Sequence, residues 1–345
     1  MQHEITGPAE LLDASGRIAE EGFSRLPHQR YRRDRIHAPW WRIKEWDYYA
    51  VLDQSSGFGV TLTASDLGYA GLFALCLVDL STGVWEQVDT LSLFPRGETG
   101  FAGTADEEHL LSFSDKKLNL AFERTGDRRL LRFSSDAFLA AGGPVSGEIT
   151  LQQHPDVQRM VIATSWAQKR TAFYFNQKIN CMPASGSVRI GAVERRFSDD
   201  TSFGVLDWGR GNWTYRNRWY WASASGVLPD GNRFGFNLGY GFSDRTPASE
   251  NVLFFGGTVH KLSEVTFHID TKDYLAPWRF TDDDGRLELD FAPALDRNST
   301  TDLLLIKSVQ HQCFGYYSGT VVLDDGKPIT IERFPGFAED VYNRW

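Results

Sequence analysis

Residues 109–135 read HLLSFSDKKLNLAFERTGDRRLLRFSS. Leu118, Leu120 and Phe122 alternate with Lys117, Asn119, Ala121 and Glu123. That period of two belongs to a strand with one dry face and one wet face. The turns Ser-Asp-Lys-Lys and Thr-Gly-Asp cut the stretch into short runs, which reads as an antiparallel meander. The same texture extends in both directions, through 46–65, 71–91 and 146–154 and then 187–197, 218–228, 232–242, 251–269, 278–295 and 303–331. Hairpin chemistry such as Pro-Asp-Gly-Asn at 229–232 and Asp-Asp-Gly-Lys at 324–327 separates the later runs. Turns every ~8–12 residues point to sandwiches or barrels rather than to βαβ units.

Composition agrees with that reading. The chain carries 11 Trp, 12 Tyr and 24 Phe in 345 residues, with 32 Gly. Aromatic side chains suit pleated strands and the walls of ligand cavities, and glycine suits tight turns. The length fits two β-domains. Helix is expected only at 7–27, where Leu11, Leu12, Ile18 and Phe23 carry the apolar pattern and Pro27 stops it, and in the closing FPGFAEDVYNRW at 334–345. The expected organisation is an N-terminal helical arm with a basic connector over 1–38, a first β-domain over 39–196 and a second over 197–345. Arg30, Arg32, Arg33 and Arg35 read as a solvated connector in preference to a phosphate or carboxylate contact.

A weak internal repeat supports a tandem arrangement. Trp46 leads to Phe58-Gly59 and Leu67-Gly68-Tyr69, while Trp219 leads to Phe234-Gly235 and Leu238-Gly239-Tyr240. The two tryptophans lie 173 residues apart, half the chain.

Several functions are excluded or disfavoured. A net charge of −9 argues against nucleic-acid and anionic-membrane partners, which need a basic face. Cys76, Cys181 and Cys313 offer neither a disulfide framework nor a zinc spacing. The eight histidines show no HxH or HExxH pattern, so no metal is expected. No phosphate-binding glycine motif and no nucleophile elbow occur, so no cofactor and no standard hydrolase is expected. Without a signal-like N-terminus or an apolar run of about 18 residues, the expected address is the cytoplasm.

The richest segment is FGVLDWGRGNWTYRNRWYWASA, 203–224. It holds Trp208, Trp213, Trp219 and Trp221 with Asp207 and Arg210 interleaved. Its two glycines read as the bent end of a strand. A carboxylate beside indoles gains a raised pKa through desolvation and becomes an acid. The competing reading makes Asp207 the structural partner of Arg210. The candidate acids are therefore Asp207, with Glu250 and Asp66 as alternatives. Candidate ligand contacts are Trp208, Arg210, Trp213, Trp219, Trp221, Tyr240, Asn251 and Tyr69. The stretch 175–188, with Gln177, Lys178, Asn180 and Pro183, reads either as a segment that closes a pocket or as a plain loop between the two domains.

The sequence resembles the DUF2804 family of bacterial proteins at Asp207-Trp208-Gly209-Arg210-Gly211, at WWRIKEWDYYAVLD (40–53), at SDLGY (65–69) and at GFAEDVYNRW (336–345). More remotely it is similar to the hydroxyneurosporene synthase and AttH group of calycin proteins. That resemblance implies two tandem lipocalin-like barrels or strongly curved sheets around an apolar cavity. It also implies a hydrophobic or isoprenoid-like ligand, because relatives hydrate an isolated double bond or fold polyenes for cycloaddition. The hydratases' histidine-rich pattern is absent here. Three functions follow as expectations: an acid-catalysed hydratase, isomerase or cyclase; a non-catalytic carrier or sensor; and a carbohydrate-active protein. An apolar pocket holding a desolvated carboxylate would favour the first. A pocket of Arg and Tyr tips alone would favour the second.

Overall fold

The computed structural model describes residues 2–345, and the chain is almost wholly β. Antiparallel pairing builds two large sheets. In the first, the main path runs Val84–Leu93, Ala70–Asp79, Phe58–Asp66, Ile43–Asp53, Ser202–Asn212, Lys169–Ile190, Val145–Gln152, Arg128–Ser135, Asn119–Thr125 and His109–Ser114. In the second it runs Thr258–Lys261, Val252–Phe255, Arg233–Tyr240, Arg216–Val227, Pro328–Arg344, Lys307–Val322, Leu287–Asp302, Trp278–Asp282 and Val265–His268. The two paths follow one plan. A four-stranded meander opens each sheet, and its first strand pairs with the last strand of the same sheet. The weak repeat around Trp46 and Trp219 marks those two opening strands.

Each sheet curls into a half-barrel around its own apolar core. Alternation decides which side chains go there. In the first sheet Phe173, Phe175, Ile179, Leu206 and Trp208 turn inward. In the second, Phe236, Phe280, Phe291 and Tyr317 fill the interior, with Tyr317 between Phe236, Phe280 and Phe291 at ring distances of 4.9, 5.5 and 4.4 Å. The alternate residues of the central strands form a third layer between the sheets.

The expected helices are absent among the described residues, where helical geometry is confined to 3-10 turns at Arg33–Arg35 and Trp40–Arg42. Over 7–27, Asp13 accepts the N–H groups of Ser15 and Arg17, and Gly16 takes φ +76°. That turn folds Leu12 back onto Ile18, and Gly22–Ser24 adds to the edge of Met160–Trp166. The arm is thus stitched to the first sheet. The C-terminal Pro328–Arg344 is a strand paired on both sides. Its ladder overrides the local helical pattern. The expected division at residue 197 falls inside the first sheet, because Ser202–Asn212 is one of its central strands. The chain crosses to the second sheet at 213–215.

Candidate active site

The layer between the sheets is where the charged and aromatic residues meet. Ser202–Asn212 is buried along its whole length and does not bend at its glycines. Gly209 is required there because the Trp46 indole lies where its Cβ would be. Alternation sends Trp208 and Arg210 toward the first core and Asp207 toward the second sheet. Asp207 and Arg210 are therefore not partners. Arg210 pairs with Asp47 at 2.9 Å and lies 3.8 Å from the Trp208 ring centroid. Trp208, Arg210 and the other three tryptophans do not share one cavity.

Asp207 faces a different set. Its Cα partner on the neighbouring strand is Lys178, whose Nζ stands 2.9 Å from Oδ1. The Trp46 indole N–H donates to Oδ2 at 3.1 Å and the Asn176 amide donates to Oδ1 at 2.5 Å. Lys178 also reaches Glu250 Oε2 at 3.7 Å and lies over the Trp221 ring at 4.2 Å. The Tyr174 hydroxyl donates to the same Glu250 oxygen at 3.3 Å. Gly239 leaves room for that carboxylate, since its Cβ would collide with Oε1.

Across the layer, Glu339 is the acid that sequence reasoning missed. The Trp219 indole donates to its Oε1 at 2.7 Å and the Gln312 amide to its Oε2 at 3.0 Å. Among the described residues Glu339 has no ion-pair partner. Burial pushes its carboxyl up to about 7, against the opposing pull of the Trp219 N–H and Lys178. Burial alone would lower the Lys178 ammonium, but Asp207 and Glu250 outweigh it and hold the group above its ordinary value. Tyr174 is raised by burial and then by the neighbouring Glu250 and Asp207.

Aromatic rings wall this charged centre. Phe242 touches Tyr174, Trp213 and Trp219 at ring distances of 4.8, 4.7 and 5.4 Å, and Trp46 lies 5.0 Å from Trp213. Trp46, Trp219, Phe242 and Trp345 are only partly buried. The Asp207 and Glu250 side chains keep 11% and 13% of their surface open. Solvent thus reaches part of this centre, whereas the interior of the second half-barrel is packed with rings.

The remaining candidates lie elsewhere. Asp66 is fully buried at a turn, with its oxygens taken by the N–H groups of Gly68 and Gly97 and the hydroxyl of Thr99. Tyr69 lies under Lys44 at 4.3 Å, beside that turn. Tyr240 stacks on Tyr220 and packs against the second core. Asn251 clamps Gly239 N–H and Ser263 C=O. The expected loop at 175–188 is the middle of the strand Lys169–Ile190, bulged between Ile179 and Met182 with Cys181 at φ +58°. The bulge turns the Asn180 amide onto Ser223 Oγ and the Phe236 carbonyl, pinning the first sheet to the second.

These features set the chain beside known proteins. Its fold matches the AttH candidate NE1406 of Nitrosomonas europaea, with a TM-score of 0.54 and 12% identity over 91% of this chain and 94% of that one. Kievitone hydratase from Nectria haematococca gives 0.49 at 11% identity, and CghA with Sch210972 gives 0.49 at 10%, each over 88% of both chains. No curated protein matches the sequence. Among the described residues no helix is long and apolar enough to cross a membrane. The family model for the domain of unknown function DUF2804 matches residues 2–345, and the chain belongs to that family.

Proposed function

We propose that this protein is a cofactor-independent enzyme that moves protons on a small, largely apolar, unsaturated molecule held in a crevice between the two sheets. One observation carries the reading. Two carboxylates on matching strands, Asp207 and Glu339, share an aromatic layer but have opposite surroundings. Asp207 has the Lys178 ammonium at 2.9 Å, whereas burial lifts the unpaired Glu339 to about 7. Two carboxyl groups in such unequal surroundings divide the work of acid and base. A general acid works best with a pKa near the working pH.

In this scheme Glu339 gives its proton to one carbon of a double bond. The cation left on the other carbon is stabilised by the faces of Trp46, Trp219 and Phe242. Hydration follows if a water adds to that carbon while Asp207 takes the water's proton. Isomerisation follows if Asp207 instead removes a proton from the adjacent carbon. In both cases Asp207 ends protonated and Glu339 ionised, and solvent returns the proton. A carrier would have no use for a desolvated acid inside its aromatic walls. This favours the enzyme.

The experiment is incubation in D₂O with a panel of isoprenoid and polyene alkenes. The expected result is carbon-bound deuterium in product or recovered substrate. Glu339→Gln should reduce the incorporation by about 10²-fold or more, the usual scale of a lost general acid. Equal incorporation by the variant would remove Glu339 from the chemistry.

A further inference from the structure

The basic cluster of the N-terminal arm is not simply a solvated connector. Arg30, Arg32 and Arg33 join Tyr31, Phe101 and Glu107 around a cavity of about 410 Å³. The cavity lies on the core side of the first sheet: its Tyr31 ring stands edge-on to Trp208 at 6.4 Å. Asp207 and the crevice are on the opposite face of that strand. The lining carries three guanidinium groups and a single carboxylate. Arg30 pairs with Glu107 at 2.9 Å, and Arg32 reaches only the exposed Asp34.

Arg33 is the organising group. Its Nη1 pairs with the buried Glu45, and its guanidinium packs where a side chain on Gly97 would be. Its Nη2 is enclosed and has no acceptor among the described residues. A guanidinium held in place by Glu45 at the wall of a cavity suits an oxo anion. Phe101, already backed by Arg210 at 4.7 Å, presents a ring to the same space. In an acidic chain this local excess of positive charge beside the partly open Phe101 ring is a recognition feature.

We propose that the cavity is a second ligand site, separate from the crevice, that binds a small organic anion. A flat apolar body lies against Phe101, and its carboxylate or phosphate monoester meets Arg33 and Arg30. The two anion chemistries make the same contacts, and the experiment tells them apart. The proposal stands whether or not Glu339 is an acid.

The test is isothermal titration calorimetry of the full chain with benzoate and with phenyl phosphate. Benzyl alcohol serves as the neutral control and inorganic phosphate as the control without an apolar body. Benzoate or phenyl phosphate should bind at least about tenfold more tightly than either control, and the stronger of the two names the anion class. Arg33→Gln and Phe101→Ala should each weaken that binding about tenfold, while Asp207→Asn leaves it unchanged. Should Arg33→Gln fail to fold with Glu45 unpaired, Arg30→Gln, at a rim side chain 65% exposed, gives the same readout. Benzyl alcohol binding as tightly as the anions, no heat from any probe, or unchanged affinity in both Arg30→Gln and Phe101→Ala would overturn the proposal.

Discussion

Trp46 and Trp219 occupy matching places in the two sheets, and each donates its indole N–H to a carboxylate on the last strand of its own sheet. Trp46 pairs in register with Gly209 and bonds Asp207, two residues earlier. Trp219 pairs with Val341 and bonds Glu339, again two residues earlier. The site is therefore a duplicated motif brought face to face, with Lys178 added on one side only. That single cation makes the two halves chemically unequal.

Removing the cation should hurt more than removing either of its acids. Lys178→Met leaves Asp207 and Glu250 without a counter-charge inside the layer, whereas Asp207→Asn leaves Lys178 with Glu250. Breaking a buried pair from one side costs about 3–5 kcal/mol. Thermal unfolding should rank the variants Lys178→Met, then Asp207→Asn, then wild type. An Asp207→Asn melting temperature equal to wild type would show that the pair holds nothing together.

The Gly209 position offers a purely steric check. Gly209→Ala places a methyl group inside the Trp46 indole and should cost about 1–3 kcal/mol through overpacking. The Trp46 ring must move away from Asp207, so a shift in tryptophan emission should accompany the loss. Wild-type stability with unchanged emission would contradict the packing described.

The fold was legible in the sequence wherever local alternation and turn chemistry decide it, as in 109–135. It was not legible where a distant partner decides. Phe337, Glu339 and Val341 share one face of a strand, yet the Phe-Ala-Glu-Asp-Val stretch has local helical character, so nothing in the sequence set Glu339 apart. Gly209 looked like a strand breaker because its reason, the Trp46 ring, lies 163 residues away. Asp207 was visible as a carboxylate among tryptophans, with Glu250 as its alternative. Lys178, which joins them, is set opposite Asp207 only by strand register. Asp66 and Asn251 drew notice by residue type alone, and both serve as backbone anchors.

Stability should carry the signature of Glu339. Its carboxyl titrates near 7 in the folded chain and at 4.5 when unperturbed. Between those values the folded state binds the extra proton, so this group's contribution falls as pH rises and is lowest above 7. The full difference is at most about 3 kcal/mol. Comparing wild type with Glu339→Gln between pH 4.5 and 8 isolates it: the variant should gain relative stability as pH rises. A constant difference across that range would place Glu339 in an ordinary environment.

Burial in the aromatic layer between the sheets keeps the Glu339 carboxyl partly protonated near neutral pH. Carbon-13 NMR titration of glutamate-labelled protein measures this directly, with Glu339→Gln assigning the resonance, and it needs no substrate. The account predicts a Glu339 side-chain carboxyl that titrates with a midpoint near 7. A midpoint near 4.5, where a solvated glutamate titrates, would contradict it.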